Sequence, residues 1–145
     1  MAVATLGGIG RIRPAPGSWG SAVVLPAALL GPLPCLLLAL GATIAGWVAV
    51  RAVLAEGGEQ DPGWIVVDEA AGMLLALAAL PAGAGWLGVA PAFVLFRAFD
   101  ILKPWPVSWA DGLPGATGVM LDDILAGAMA GAVLLLAGAV LPRGL

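Results

Sequence analysis

Apolar residues gather in five stretches along the chain, Ala22–Leu30, Leu33–Val50, Ile65–Leu80, Trp86–Phe99 and Val119–Leu141. Each is bounded by Gly or Pro, the strongest local punctuation of backbone structure. The last reaches the roughly 20 residues that a helix needs to cross a bilayer core, and the second and third are near the lower limit. Ala22–Leu30 is too short to cross as a regular helix. It reads either as a crossing completed by its flanks or as a half-helix turning at Gly31-Pro32-Leu33-Pro34. Small residues within the last stretch (Ala126, Gly127, Ala130 and Gly131) suit close helix packing in lipid. The pattern predicts an all-α fold, an integral membrane bundle of about four to five helices formed by a single domain over residues 1–145.

Polar positions are organised around these stretches. The turns at Gly31–Pro34 and Pro81–Gly85 carry no charge. Arg11 and Arg13 precede the first stretch, Arg51, Glu56, Glu59 and Asp61 follow the second, and Lys103 and Asp111 follow the fourth. If the chain crosses five times, every charge except Arg143 falls on or near one side, and the basic residues make that side cytoplasmic. The C-terminus is then expected outside. Arg11 and Arg13 follow the first apolar residues instead of preceding them, so the N-terminus does not read as a signal peptide.

Composition sharpens this picture. Hydrophobic residues make up 61% of the 145 positions and charged residues 10%. Mean hydropathy is +1.06, so the chain lacks the polar surface that a small soluble domain requires. The formal net charge of −3 offers no basic footprint for nucleic acid. One cysteine and no histidine exclude an internal disulfide, a Cys/His zinc site and a Ser-His-Asp triad. Cys35, inside an apolar run, reads as packing. Any chemistry must come from carboxylates, Arg, Lys, hydroxyls or a metal.

Carboxylates occur where they are costly. Asp68 and Glu69 begin the third stretch, Asp122 and Asp123 lie in the first turns of the last, and Asp100 closes the fourth with Arg97 and Lys103 at i−3 and i+3. Acids in an apolar segment must face the bundle interior or the interface. In the five-crossing arrangement all five sit at one depth, and hard oxygen ligands gathered at one level suit Mg²⁺. Arg97 and Lys103 suit phosphate oxygens. A simpler reading is available for each acid alone, because acids near a helix N-terminus complement its dipole and cap free N–H groups. Ser18 and Ser21, in Gly17-Ser18-Trp19-Gly20-Ser21, either offer hydroxyls and N–H groups to an anion or form a plain membrane-entry turn.

Four blocks in this order resemble the phosphatidylglycerophosphatase A family. They are Ala15-Pro16-Gly17-Ser18-Trp19-Gly20-Ser21, Val67-Asp68-Glu69-Ala70-Ala71-Gly72, Phe96-Arg97-Ala98-Phe99-Asp100-Ile101-Leu102-Lys103-Pro104-Trp105-Pro106 and Gly118-Val119-Met120-Leu121-Asp122-Asp123-Ile124-Leu125-Ala126-Gly127. The resemblance implies a Mg²⁺-dependent bacterial inner-membrane enzyme. Its reaction would hydrolyse phosphatidylglycerophosphate to phosphatidylglycerol and phosphate on the cytoplasmic side. The motif positions it carries over are Ser21, Asp68, Glu69, Arg97, Asp100, Lys103, Asp122 and Asp123. Asp68, Glu69, Asp122 and Asp123 are expected to hold Mg²⁺. Arg97 and Lys103 are expected on the terminal phosphate, with Asp100 beside them as a catalytic carboxylate and Ser18 and Ser21 toward the headgroup. Ser18 stands where Thr is usual, and Gly115-Ala116 replaces Gly-Gly. Two other classes compete. An ion or proton transporter would place its acids near mid-membrane between broken helices, and another carboxylate-dependent lipid enzyme would carry them in one helix-borne motif.

Overall fold

The computed structural model describes residues 1–141; the expected placement of Arg143 lies outside the described residues. Six α-helices form: α1 (Pro16–Ala22), α2 (Pro32–Ala55), α3 (Val67–Leu77), α4 (Gly85–Leu102), α5 (Val107–Asp111) and α6 (Gly115–Val140). A 3₁₀ segment, Leu25–Leu30, continues α1. The all-helical expectation holds; the six helices among the described residues exceed the four to five expected because the short α1 and α5 add to the longer ones.

The boundaries follow from local chemistry. α2 opens with Pro32 after Gly31, whose φ of 93° only glycine adopts at low cost. It ends before Gly57 and Gly58, with φ of 90° and 107°. α4 stops at Leu102 because Lys103 turns left-handed, with φ 49°, and Pro104 cannot continue the helix. α6 starts at Gly115 after Pro114, earlier than the apolar stretch that begins at Val119. Asp122 and Asp123 therefore sit two turns inside α6, not in its first turn. The apolar pattern missed that opening turn because Gly115, Ala116, Thr117 and Gly118 are small or polar.

α2, α4 and α6 are each long and apolar enough to cross a membrane. No more than 28% of the apolar stretch of any of them is buried within the protein. Leu36, Leu37, Leu40, Ile44, Leu135 and Leu136 all stand exposed. Water would not tolerate such a surface, and lipid does. α3 is different. At 11 residues it rises only about 16 Å, and nine of its residues are buried. It is a half-length central strut held by α2 and α6.

The chain weaves between two ends of the bundle. The start of α1 lies against Glu69 and Arg97, whereas Gly31 lies beside Ala82 in the charge-free turn before α4. The run from Pro16 to Leu30 therefore does pass from the charged end to the uncharged one, in two short helical pieces. Trp47 of α2 donates from Nε1 to Thr117 Oγ1 at 3.2 Å, bringing the end of α2 beside the start of α6. Trp19, Trp47, Trp64, Trp105 and Trp109 belong to segments at the charged end, where indole rings suit a headgroup layer.

Candidate active site

The acidic end is built around one helix crossing. A Cβ added to Gly127 would strike the carbonyl of Gly72, and one added to Gly72 would strike the carbonyl of Asp123 and Phe96. Only glycine allows α3 and α6 to approach so closely. Asp68 lies four residues before Gly72 and Asp123 four residues before Gly127. Both acids thus project one turn beyond the contact, on facing helices that run in the same direction. The crossing fixes their separation.

Two carboxylate groups result. One oxygen each of Asp68, Glu69 and Asp123 lies within 4.8 Å of the others, and the same holds for Asp100, Asp122 and Asp123. Asp123 belongs to both. Asp68, Asp122 and Asp123 are only 6%, 4% and 2% exposed. Asp68 Oδ1, Glu69 Oε2 and Asp123 Oδ1 are buried without a hydrogen-bond partner. Unpaired buried carboxylate oxygens are costly, and these belong to the three residues of the first group, which can each offer an oxygen to a hard cation.

Asp68 and Glu69 lie in the first turn of α3, where they complement its dipole. The N–H groups of Val66, just before the helix, and of Val67, its first residue, donate to the Ala4 carbonyl at 2.9 and 3.3 Å. No side chain caps the helix. Asp122 and Asp123 are too deep in α6 to serve its first turn.

The two cations engage the second group. Arg97 is bonded through Nη1 to Asp100 Oδ2. Lys103 Nζ donates to Asp122 Oδ2 at 2.8 Å and lies 3.7 Å from Asp100 and 3.5 Å from Asp111. Asp122 Oδ1 accepts from the Asp123 backbone N–H at 2.9 Å, so both Asp122 oxygens already have partners. Arg97 keeps donors in hand, since its Nε is buried and unpartnered. Burial alone would lower the Lys103 ammonium, but the hydrogen bond and charge of Asp122, with Asp100 and Asp111, hold it above the ordinary lysine range. The left-handed backbone at Lys103 swings the side chain off α4 toward α6, at a position where glycine would be less strained. Five carboxylates of the two groups face two basic residues. That excess of negative charge fits a site that takes up a divalent cation.

The serines separate. Ser21 is fully buried, and its hydroxyl donates to the Gly17 carbonyl at 2.9 Å. It braces the α1 turn by intrahelical back-bonding of the hydroxyl. Ser18 is half-buried at the rim. α1 itself has only seven residues, and Ser18 and Trp19 N–H donate to Ala15.

Two residues escaped the sequence reading. Gly17 packs on the site so tightly that an added Cβ would lie 2.5 Å from Glu69 Oε1 and 3.2 Å from Arg97 Nη1. The Pro-Gly-Ser turn was its available signal. Asp111 reaches Lys103 because the five-residue α5 folds back onto α6, and nothing in its spacing announces that.

Fold and site together define a helical membrane protein that gathers carboxylates, an arginine and a lysine at one end of its bundle. The sequence profile of the phosphatidylglycerophosphatase A family matches residues 2–138, and the chain belongs to that family. A Haemophilus influenzae protein named phosphatidylglycerophosphatase A is 40% identical over 125 residues, covering 82% of this chain and 76% of that one. The Escherichia coli K12 protein of the same name is 38% identical over 136 residues, covering 90% of this chain and 78% of its own. A Bacteroides thetaiotaomicron protein provisionally named a phosphatidylinositol-3-phosphatase is 46% identical over 69 residues, or 47% of this chain and 43% of that one. No solved structure matches the chain.

Proposed function

We propose that this protein hydrolyses the terminal phosphate monoester of phosphatidylglycerophosphate, releasing phosphatidylglycerol and inorganic phosphate. The site would lie at the cytoplasmic face of a bacterial inner membrane. The observation that carries the reading is the meeting of carboxylates from α3 and α6, three of them with an unpartnered buried oxygen, beside Arg97 and Lys103. Family membership supplies the substrate class. Orientation rests on the basic residues, since Arg11, Arg13, Arg51, Arg97 and Lys103 all belong to segments at the acidic end.

The donor set is all oxygen and anionic, which favours Mg²⁺ over softer metals. Asp68, Glu69 and Asp123 would hold it directly. Asp122 would either join them or stay with Lys103 as its anchor. A bound divalent ion supplies positive charge against phosphoryl oxygens and Lewis acidity toward water.

The chain's own residues do the rest. Arg97, its plane fixed by the bond to Asp100, would turn its remaining Nη N–H groups toward the terminal phosphate. Lys103, held by Asp122, takes up charge on a second phosphoryl oxygen. Ser18, half-buried near Gly17, would meet the phosphate that links glycerol to the lipid. In the reaction the oxygen of water bonds to phosphorus, the bond from phosphorus to the glycerol oxygen breaks, and the proton from water ends on the departing alcohol.

The test is phosphate release by purified protein in liposomes containing phosphatidylglycerophosphate, with Mg²⁺ and with chelator. Release that needs Mg²⁺, and that exceeds release from phosphatidylinositol 3-phosphate, supports the reading. No release from either lipid would end it, and preference for the inositol lipid would reassign the substrate.

A further inference from the structure

The segment Pro16–Leu30 and α4 meet lightly along their length. At the charged end the two are joined at the site, where Gly17 lies against Arg97. Toward the uncharged end they part around a cavity of about 380 Å³, lined by Leu25, Ala28, Leu29, Ala84, Trp86 and Val89 among others. The lining is overwhelmingly apolar. On α4, Trp86, Val89, Phe93 and Arg97 recur at i, i+3, i+7 and i+11, one face of a helix that ends at the acid site. From Trp86 to Arg97 the helix rises about 16 Å. One leaflet of a bilayer core is about 15 Å deep.

We propose that this seam is the binding track for one acyl chain of the substrate lipid, with the phosphate at Arg97 and the chain end in the Trp86–Val89 cavity. The inference rests on the lipid-phosphate reading above and adds where the diacylglycerol part lies. The helix face it shares with Arg97, from Trp86 along α4, selects this cavity over the larger groove of about 510 Å³ between α2 and α6, lined by Leu36, Leu75, Ala79, Gly131 and Leu135. That groove opens below the end of α3, and the close contact of Gly46 with Val67 and Met120 lies between it and the acids. Ala28 and Ala84 contribute short side chains to the walls of the selected cavity.

The experiment uses the whole protein in liposomes. Phosphatidylglycerophosphate carrying a diazirine at the end of one acyl chain is photolysed, and labelled peptides are mapped. Label is expected on Leu25–Leu30 and on the first turns of α4, and excess unlabelled substrate should remove it. Separately, Ala28→Trp should fill the cavity. It should raise KM for the long-chain lipid about tenfold while leaving the deacylated headgroup, glycerophosphoglycerophosphate, unaffected. Label spread over the lipid-facing helices, or concentrated in the α2–α6 groove, would overturn the inference, as would equal effects of Ala28→Trp on both substrates. Because the mapping uses the wild-type chain, a misfolded variant leaves it decisive. Phosphate release with label elsewhere sinks the acyl track alone; labelled cavity peptides without phosphate release sink the activity alone.

Discussion

Replacing Gly127 by Ala places a methyl against the Gly72 backbone, 2.8 Å from its carbonyl carbon and 3.0 Å from its Cα, with the carbonyl oxygen nearer still. Carbon atoms at rest sit about 3.5–4.0 Å apart, so α6 must withdraw from α3 by close to 1 Å. Overpacking of this kind costs about 1–3 kcal/mol. The gain in helix propensity from Gly to Ala returns up to about 1 kcal/mol, so the variant should fold and insert. The site is less forgiving. Asp123 rides on the displaced turn, and a misplacement of about 1 Å costs on the order of 100-fold in rate. The expected outcome is a turnover number down about 100-fold at nearly unchanged helicity, read by phosphate release per inserted protein and by circular dichroism. Gly138→Ala is the control, since its methyl meets nothing within 4 Å, and its turnover should match wild type. Full activity in Gly127→Ala would refute the claim that the glycine crossing sets the spacing of the acids.

Other outcomes follow from the same geometry. Asp122→Asn should abolish turnover while the protein still inserts, because it weakens the hold on Lys103 beside the phosphate; wild-type rates would remove Asp122 from the site. Arg97→Ala should mainly raise KM, and Arg97→Lys should not restore it, because an ammonium cannot reproduce the planar fork; equal kinetics in all three proteins would exclude a phosphate contact. Lys103→Met should lower the unfolding midpoint more than Lys103→Gly, since both leave Asp122 without its partner but only glycine relieves the left-handed backbone; the reverse order would show that φ 49° carries no strain. A lysine held above its ordinary value contributes stability below its unfolded pKa and loses it only as pH rises through the folded one. The midpoint gap between wild type and Lys103→Met should therefore not close between about pH 7 and 10, and a gap closing within that range would contradict the Asp122–Lys103 bond.

The sequence was most informative where physics leaves few options. Apolar length marked α2 and α6, but it put α3 near crossing length and left α4, whose apolar stretch Trp86–Phe99 is shorter, unmarked; Gly and Pro marked the ends. The cost of acids in lipid singled out Asp68, Glu69, Asp100, Asp122 and Asp123, and the structure brings them together in two groups that share Asp123. The half-length of α3 was harder to see, because Ala78, Ala79 and Leu80 extend the apolar run past the point where the helix ends. The role of Ser21 is not legible in sequence because a hydroxyl in a Gly-rich turn can serve an anion or its own backbone, and here it bonds the Gly17 carbonyl. Asp111 reaches Lys103 only through the fold of α5, a contact between separate segments that local pattern does not encode. Gly127 read as a packing residue and Gly72 only as the end of a motif, yet their position one turn from Asp68 and Asp123 makes them the frame of the site.

Binding of Mn²⁺ as a paramagnetic substitute for Mg²⁺, followed by electron paramagnetic resonance on purified wild type, Asp68→Asn and Asp123→Asn, reaches the central claim without depending on turnover. If acids from α3 and α6 share one ion, wild type binds Mn²⁺ saturably and either substitution weakens binding at least about tenfold. Equal Mn²⁺ affinity in all three proteins would mean that these carboxylates do not hold a metal between them.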